Sequence, residues 1–208
     1  LLLIFIIAII SFAVFLSHSR MGILGLACAL IFMSGMFVAE KMHKVSGRLF
    51  TILMGLALLA GIYRGLNPGV FLDKGRFQQY KDTINLIRDF PFLGTGLGTY
   101  AYIYPAYKTI KTPENFSHAH NDYLELFSET GIIGFAILIF GLGLFLWQIV
   151  KARLKTEDAY RKWMGLSGLT AMAVILLHSL VDFNLHIPAN AFLFLVIMGL
   201  TWNLLCVE

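Results

Sequence analysis

The run SHAHNDYLELFSETGIIG, residues 117–134, places His118, His120, Asn121, Asp122, Glu125 and Glu129 directly ahead of a long apolar stretch. An imidazole titrates near neutrality, so it is the side chain of this set best suited to take a proton from a hydroxyl. The carboxylates would fall in the first turns of a helix, where the helix dipole favours negative charge. That reading covers the acids but leaves His120 and Asn121 unexplained. Arg20, Arg64, Arg76 and Arg88 form the second group of interest. Each guanidinium offers phosphate oxygens a rigid, two-pronged fork. The competing reading for each is snorkelling to a membrane interface, and it weighs least on Arg20, which lies in a short turn beside Ser17 and Ser19. A metal site built on HAH, with His178, Asp182 and His186 as further ligands, is disfavoured. Residues two apart do not share a helix face, and no cysteine joins them. The expectation is therefore no metal and no cofactor.

The elements that must position these groups are membrane spans. The chain has 208 residues, of which 58% are hydrophobic and 13% charged, whereas soluble domains carry about 25% charged residues. The apolar residues come in long blocks: 1–17, 21–39, 49–63, 131–150, 164–181 and 189–207. A crossing helix needs roughly 20 such residues, which predicts about six spans, the first and third near the lower limit. The chain begins with Leu inside an apolar run and reads as a piece of a longer membrane protein. A signal sequence at 1–17 would need a basic leader and a small-residue cleavage site, and both are missing. Cys28 and Cys206 lie inside predicted spans without cysteine or ligand neighbours and read as packing residues.

Short loops rich in Lys and Arg stay in the cytoplasm. Lys41, Lys44 and Arg48 follow the second span, and Lys151, Arg153, Lys155, Arg161 and Lys162 follow the fourth. The outer side then holds the turn 17–20, the long segment 64–130 and the turn 182–188. Within the long segment, Phe77, Tyr80, Ile84 and Ile87 recur at helical spacing and predict an amphipathic surface helix over 77–90, ended by Pro91. GTGLGTY (94–100) lacks the preceding strand and following helix of a dinucleotide cradle and reads as a tight turn. Tyr100, Tyr102, Tyr104 and Tyr107 read as an interfacial belt, or as platforms for a sugar ring. This topology gathers His18, Arg20, Arg64, Arg76, His118, His120, Asn121, Asp122, Asp182 and His186 on one face, with His178 about one turn inside the fifth span. Ionisable residues at such places are candidates for function. The arginines suit a polyanion such as a lipid headgroup or a pyrophosphate linkage.

HAHNDYLELFSETGIIG resembles the signature of the O-antigen ligase family, the Wzy-C superfamily of bacterial envelope proteins. The matching positions are His120, Asn121, then Gly131 and Gly134. GRFQQYKDTINLIRDFPFLGTGLGTY resembles the family's outer-loop block, with Arg76 as its arginine. SHSRMG resembles its Ser-Arg-Gly turn, with Arg20 in the arginine place and Met21 where Gly or Ser is usual. HSLVDFNLHIPAN resembles a segment near the family's C-terminal spans. The resemblance implies an all-α, polytopic, GT-C-like membrane domain over 1–208, the C-terminal half of a family member, with an extracytoplasmic loop at 64–130. It implies transfer of glycan from an undecaprenyl-pyrophosphate carrier at the periplasmic face of the bacterial inner membrane. The acceptor would be lipid A-core for a ligase, a growing glycan for a polymerase, or protein. By the same resemblance His120 acts as general base and Arg20 and Arg76 hold the pyrophosphate, with no metal required. Asn121, His118, Arg64, Arg88, Asp182 and His186 would contribute to substrate binding.

Two readings from other classes remain beside it. A transporter of polyprenyl-linked glycan needs polar residues along its spans, and only Ser11, Ser34, Ser167 and His178 offer them. A non-catalytic envelope assembly protein would dock through the surface helix and the tyrosines. Partners in every case are the bilayer and glycan, not nucleic acid.

Overall fold

In the computed structural model of this chain the described residues are 2–17, 19–41, 74–111 and 116–207. The predicted third span, Arg64, His18 and the basic loop after the second span lie outside them, apart from Lys41. All regular structure among the described residues is helical. The chain divides into two compact units, Leu1–Phe71 with Ala173–His178, and Leu72–Met172 with Ser179–Glu208.

In the first unit, α1 (Leu2–Leu16) and α2 (Arg20–Lys41) occupy the first two predicted spans. Ser19 precedes α2, and its Oγ accepts the Gly22 N–H at 3.1 Å, which satisfies one of the donors that a helix start leaves open. Gly25 packs on Val174: a Cβ there would come within 2.9 Å of the valine side chain.

The second unit is built on α3 (Lys74–Asp89), the short α4 (Tyr100–Ile103), α5 (Asp122–Lys155) and α7 (Pro188–Cys206). Helix α6 (Ala159–His178) gives this unit its residues up to Met172. Among the described residues, α5 and α7 are long and apolar enough to cross a membrane. Many of their large side chains face outward, among them Ile137, Phe140 and Trp147 on α5 and Phe192, Leu195 and Leu200 on α7. Such a surface suits lipid, and a helix satisfies its own backbone there. Gly165 and Gly168 of α6 allow α7 to come close, since a Cβ on either would strike Leu205 or Thr201. Arg161 then donates to the carbonyls of Leu204 (2.7 Å) and Val207 (3.1 Å) at the end of α7.

Helix α3 forms where the periodicity predicts it and stops just before Pro91, but its buried face only partly follows the predicted stripe. Gln79, Asp82, Thr83 and Leu86 are fully buried; of the stripe, Ile87 is buried and Tyr80 half-buried, while Phe77 and Ile84 are exposed. The reason is a set of polar partners from the following segment. Asp82 accepts from the Thr109 N–H (2.9 Å) and hydroxyl (2.8 Å), and Thr83 Oγ1 pairs with the Tyr100 hydroxyl at 2.8 Å. The belt reading of the tyrosines is likewise corrected. Tyr100 and Tyr104 are buried, stacked at 5.1 Å, and form a small core with Ala119 and Phe116. Tyr102 alone among the four is largely exposed. Burial pushes the Tyr100 and Tyr104 phenols well above their ordinary value of 10.0.

The turn at 91–96 is locked to α5 by a break in that helix at Gly131 (φ 62°, ψ −174°). The break frees backbone groups on both sides of it. Thr95 and Gly96 N–H donate to the carbonyls of Ser128 (3.0 Å) and Glu129 (2.9 Å). Ile132 and Ile133 N–H donate to Pro91 (2.8 Å) and Phe92 (3.3 Å). The backbones touch at Gly94 and Gly131, where a Cβ would lie 2.3 Å from Glu129 or Phe92 backbone atoms. Both glycines have positive φ, so they are required twice over.

Candidate functional site

The site forms where the segment 117–121, the first turns of α5, the start of α3 and the turn 181–186 meet, all within the second unit. Asn121 opens α5: its Oδ1 accepts the N–H groups of Tyr123 (3.0 Å) and Leu124 (3.1 Å). This explains why an Asn sits before the acidic turn, because a short side-chain acceptor there starts the helix.

Asp122, Glu125 and Glu129 are all buried. Spaced three and four apart, they share one face of α5, and together they hold the segments at 100, 118–119 and 185–186. Asp122 accepts from the Leu185 N–H (2.9 Å) and contacts His186 Nδ1 at 2.5 Å. Glu125 contacts His118 Nδ1 (2.8 Å) and His186 Nε2 (3.3 Å) through one oxygen and accepts the Ala119 N–H (2.7 Å) through the other. Glu129 accepts the Tyr100 N–H at 3.0 Å. The hydrogen bond to Asp122 and the neighbouring carboxylates raise the His186 pKa above its ordinary 6.5, against the effect of burial. Dipole complementarity alone, the reading made from sequence, understates these acids.

His120 is the strained member of the group. It is the non-glycine residue with positive φ (51°) among those described, a region that costs most side chains about 1–3 kcal/mol. Its carbonyl accepts the Tyr80 hydroxyl at 2.8 Å, and the preceding His118 carbonyl accepts Gln79 Nε2 at 2.6 Å. Helix α3 thus holds the segment in place from behind. The buried His120 Nδ1 has Asp182 Oδ1 as its facing partner, at 3.5 Å, a long contact with no shorter hydrogen bond beside it. Phe183 separates the two rings, stacked on His118 (4.6 Å) and edge-on to His120 (5.0 Å).

Arg76 Nη1 donates to the Val181 carbonyl at 3.1 Å, which sets its charge beside Asp182. The His120 imidazole, the Phe183 N–H and the Arg76 charge hold the Asp182 carboxyl below its ordinary 3.8, against burial.

Of the residues picked out in the sequence, the structure brings together His118, His120, Asn121, Arg76, Asp182 and His186. Arg88 lies twelve residues along α3 from Arg76, about 18 Å away, and donates to Asn85 at 3.4 Å. Arg20 opens α2 in the other unit, and its side chain is outside the described part, as is all of Arg64. His178 is the last residue of α6 rather than one turn inside it. Sequence reasoning passed over Gln79 and Phe183, and took Tyr80 only as part of an apolar stripe. The three-and-four spacing of Asp122, Glu125 and Glu129 was the available sign that the acids share a face. His118, Glu125 and His186 place one ligand-capable atom each within 4.8 Å of one another.

No curated protein and no solved structure matches the chain. The family model described as O-antigen ligase (Wzy-C) matches residues 4–139. That span includes Arg20, Arg76, His120, Asn121 and the Gly94–Gly131 lock, and stops short of Asp182 and His186. The match covers well over half of the 208 residues, and the chain belongs to the O-antigen ligase (Wzy-C) family.

Proposed function

We propose that the chain carries the reaction centre of a membrane glycosyltransferase. It moves glycan from an undecaprenyl-pyrophosphate carrier to an acceptor hydroxyl at the periplasmic face of the bacterial inner membrane. Family membership supports glycan transfer of the O-antigen ligase type. The observation that carries the residue-level reading is His120, held at φ 51° with a buried Nδ1 opposite Asp182.

In this reading Asp182 orients the imidazole through Nδ1, which leaves Nε2 to act as base, as in other acid–histidine pairs. Nε2 takes the proton of the acceptor hydroxyl. The hydroxyl oxygen attacks the anomeric carbon of the donor, and the bond from that carbon to the pyrophosphate oxygen breaks. Undecaprenyl pyrophosphate leaves with the electron pair. Arg76, and Arg20 by family resemblance, offset the charge that develops on it. Asn121, His118 and His186 shape the acceptor side, and Arg64 and Arg88 meet the anionic carrier. Basic residues on the segments around Lys41 and Lys151–Lys162 support a cytoplasmic position for those loops and an outer position for the site.

The test uses the full-length protein in a host lacking its own copy. His120→Ala is expected to lower transfer by about 10²–10⁴-fold, with polymerised glycan left on its lipid carrier. Normal transfer by a variant present at the wild-type level would show that His120 is not the base. Single repeat units attached to the acceptor in the deletion strain would instead assign polymerase activity.

A further inference from the structure

We infer that His118, Glu125 and His186 form a divalent transition-metal site, with zinc as the natural occupant, that clips the His120 segment to α5 and to the turn 184–186. The ligand set is two imidazoles and one carboxylate, a combination that suits zinc and its neighbours better than calcium or magnesium. Glu125 Oε1 lies 2.8 Å from His118 Nδ1 and 3.3 Å from His186 Nε2, and the three ligand atoms fall within 4.8 Å of one another. Ligands around a tetrahedral zinc with bonds of about 2.1 Å stand about 3.4 Å apart. A bound ion therefore requires the 2.8 Å His118 contact to open by roughly half an ångström and the three atoms, now within 4.8 Å of one another, to settle to that spacing.

The surroundings are those of a prepared site. Asp122 engages His186 Nδ1 at 2.5 Å while its other oxygen takes the Leu185 N–H. That fixes the ring with Nε2 turned toward Glu125, the carboxylate–histidine arrangement that commonly supports a bound metal. The second Glu125 oxygen is held by the Ala119 N–H, and Gln79 holds the His118 carbonyl. Three carboxylates are buried on this face of α5, and the side chains set against Asp122 and Glu125 are imidazoles, which carry charge only when protonated. Buried carboxylates need compensating positive charge, and a dication supplies more of it than the imidazoles do. The reading from the sequence looked for ligands in HAH itself. The fold instead separates those two histidines, giving one to this cluster and the other to Asp182.

The ion positions the His120 segment in this proposal, with its fourth position open to water, and touches no reacting atom; it shares His118 and His186 with the glycosyl-transfer reading, and metal binding is read without measuring transfer. The experiment takes the full-length protein in detergent, strips it with a chelator, and titrates Zn²⁺ against a chromophoric competitor. One Zn²⁺ per chain, bound at micromolar or tighter affinity, is expected. His118→Gln, Glu125→Gln and His186→Gln should each lose that binding, and Asp122→Asn should weaken it by about ten- to a hundredfold. His120→Ala should bind as wild type does. X-ray absorption on the zinc-loaded wild type needs no variant, and should show imidazole nitrogens at about 2.0–2.1 Å. Absence of stoichiometric binding, a spectrum without imidazole ligands, or undiminished binding by the His118 and His186 variants would each overturn the proposal.

Discussion

At residue scale the chemistry turns on how two histidines two positions apart acquire different surroundings. Ala119 is fully buried, and the left-handed turn at His120 sends the flanking rings to different carboxylates. His118 meets Glu125, and His120 meets Asp182. Removing the Asp182 carboxylate leaves His120 without its orienting charge. Asp182→Asn is expected to lower kcat about a hundredfold with little change in KM, measured with lipid-linked donor and purified full-length enzyme. Arg76 has a double role, because it tethers the Val181 carbonyl and its charge adds to the His120 and Phe183 contacts that lower the Asp182 pKa. For that reason Arg76→Lys should not restore what Arg76→Ala loses, since a lysine offers a point charge without the planar fork.

At the scale of elements, the polar side of α3 is the mould for the outer segment. Asp82 gathers the Thr109 N–H and hydroxyl together with Gln78 Nε2 at 3.0 Å. Asp82→Ala strands those donors and should cost about 2–3 kcal/mol, read as a lower Tm and faster proteolysis within 100–111. The Gly94–Gly131 lock is less forgiving. Gly131→Ala combines a disfavoured φ with a 2.3 Å clash against backbone that cannot rotate away. A loss of about 3 kcal/mol or more is expected, seen as little folded protein on size exclusion. The kink also divides α5 into a polar opening that builds the site and an apolar stretch that suits the bilayer. A continuous helix would not expose the Ser128 and Glu129 carbonyls to the 91–96 turn.

For the second unit as a whole, buried acids and imidazoles make stability depend on pH. His186 is held above its ordinary 6.5, so its contribution is complete below that value and is lost as pH rises through the raised folded value. Asp182 is held below its ordinary 3.8, so its contribution is complete above that value and is lost as pH falls through the lowered one. These two groups predict a plateau in Tm between about pH 3.8 and 6.5, with a decline on the alkaline side. A Tm series in detergent with chelator present checks it, and His186→Gln should flatten the alkaline limb.

The sequence by itself determined the class of the molecule. Long uninterrupted apolar blocks favour helices, which satisfy their own backbone; α1, α2, α5, α6 and α7 lie where those blocks lie, and α5 and α7 are long and apolar enough to cross a membrane. It also marked His120, Asn121, Arg76, Asp182 and His186, because charged and titratable groups beside such blocks are costly and so conspicuous. Helix α3 was legible from its period, but its buried face only in part, through Ile87: local periodicity reports hydrophobicity, and here most packing partners are polar. The same gap hid the burial of Tyr100 and Tyr104 and the work of Asp122, Glu125 and Glu129. Only tertiary structure brings residues 118, 125 and 186 within reach of each other, and only it shows that the glycines at 94 and 131 touch. Contacts across such sequence distances are set by how the segments fold back, which no single stretch of residues encodes.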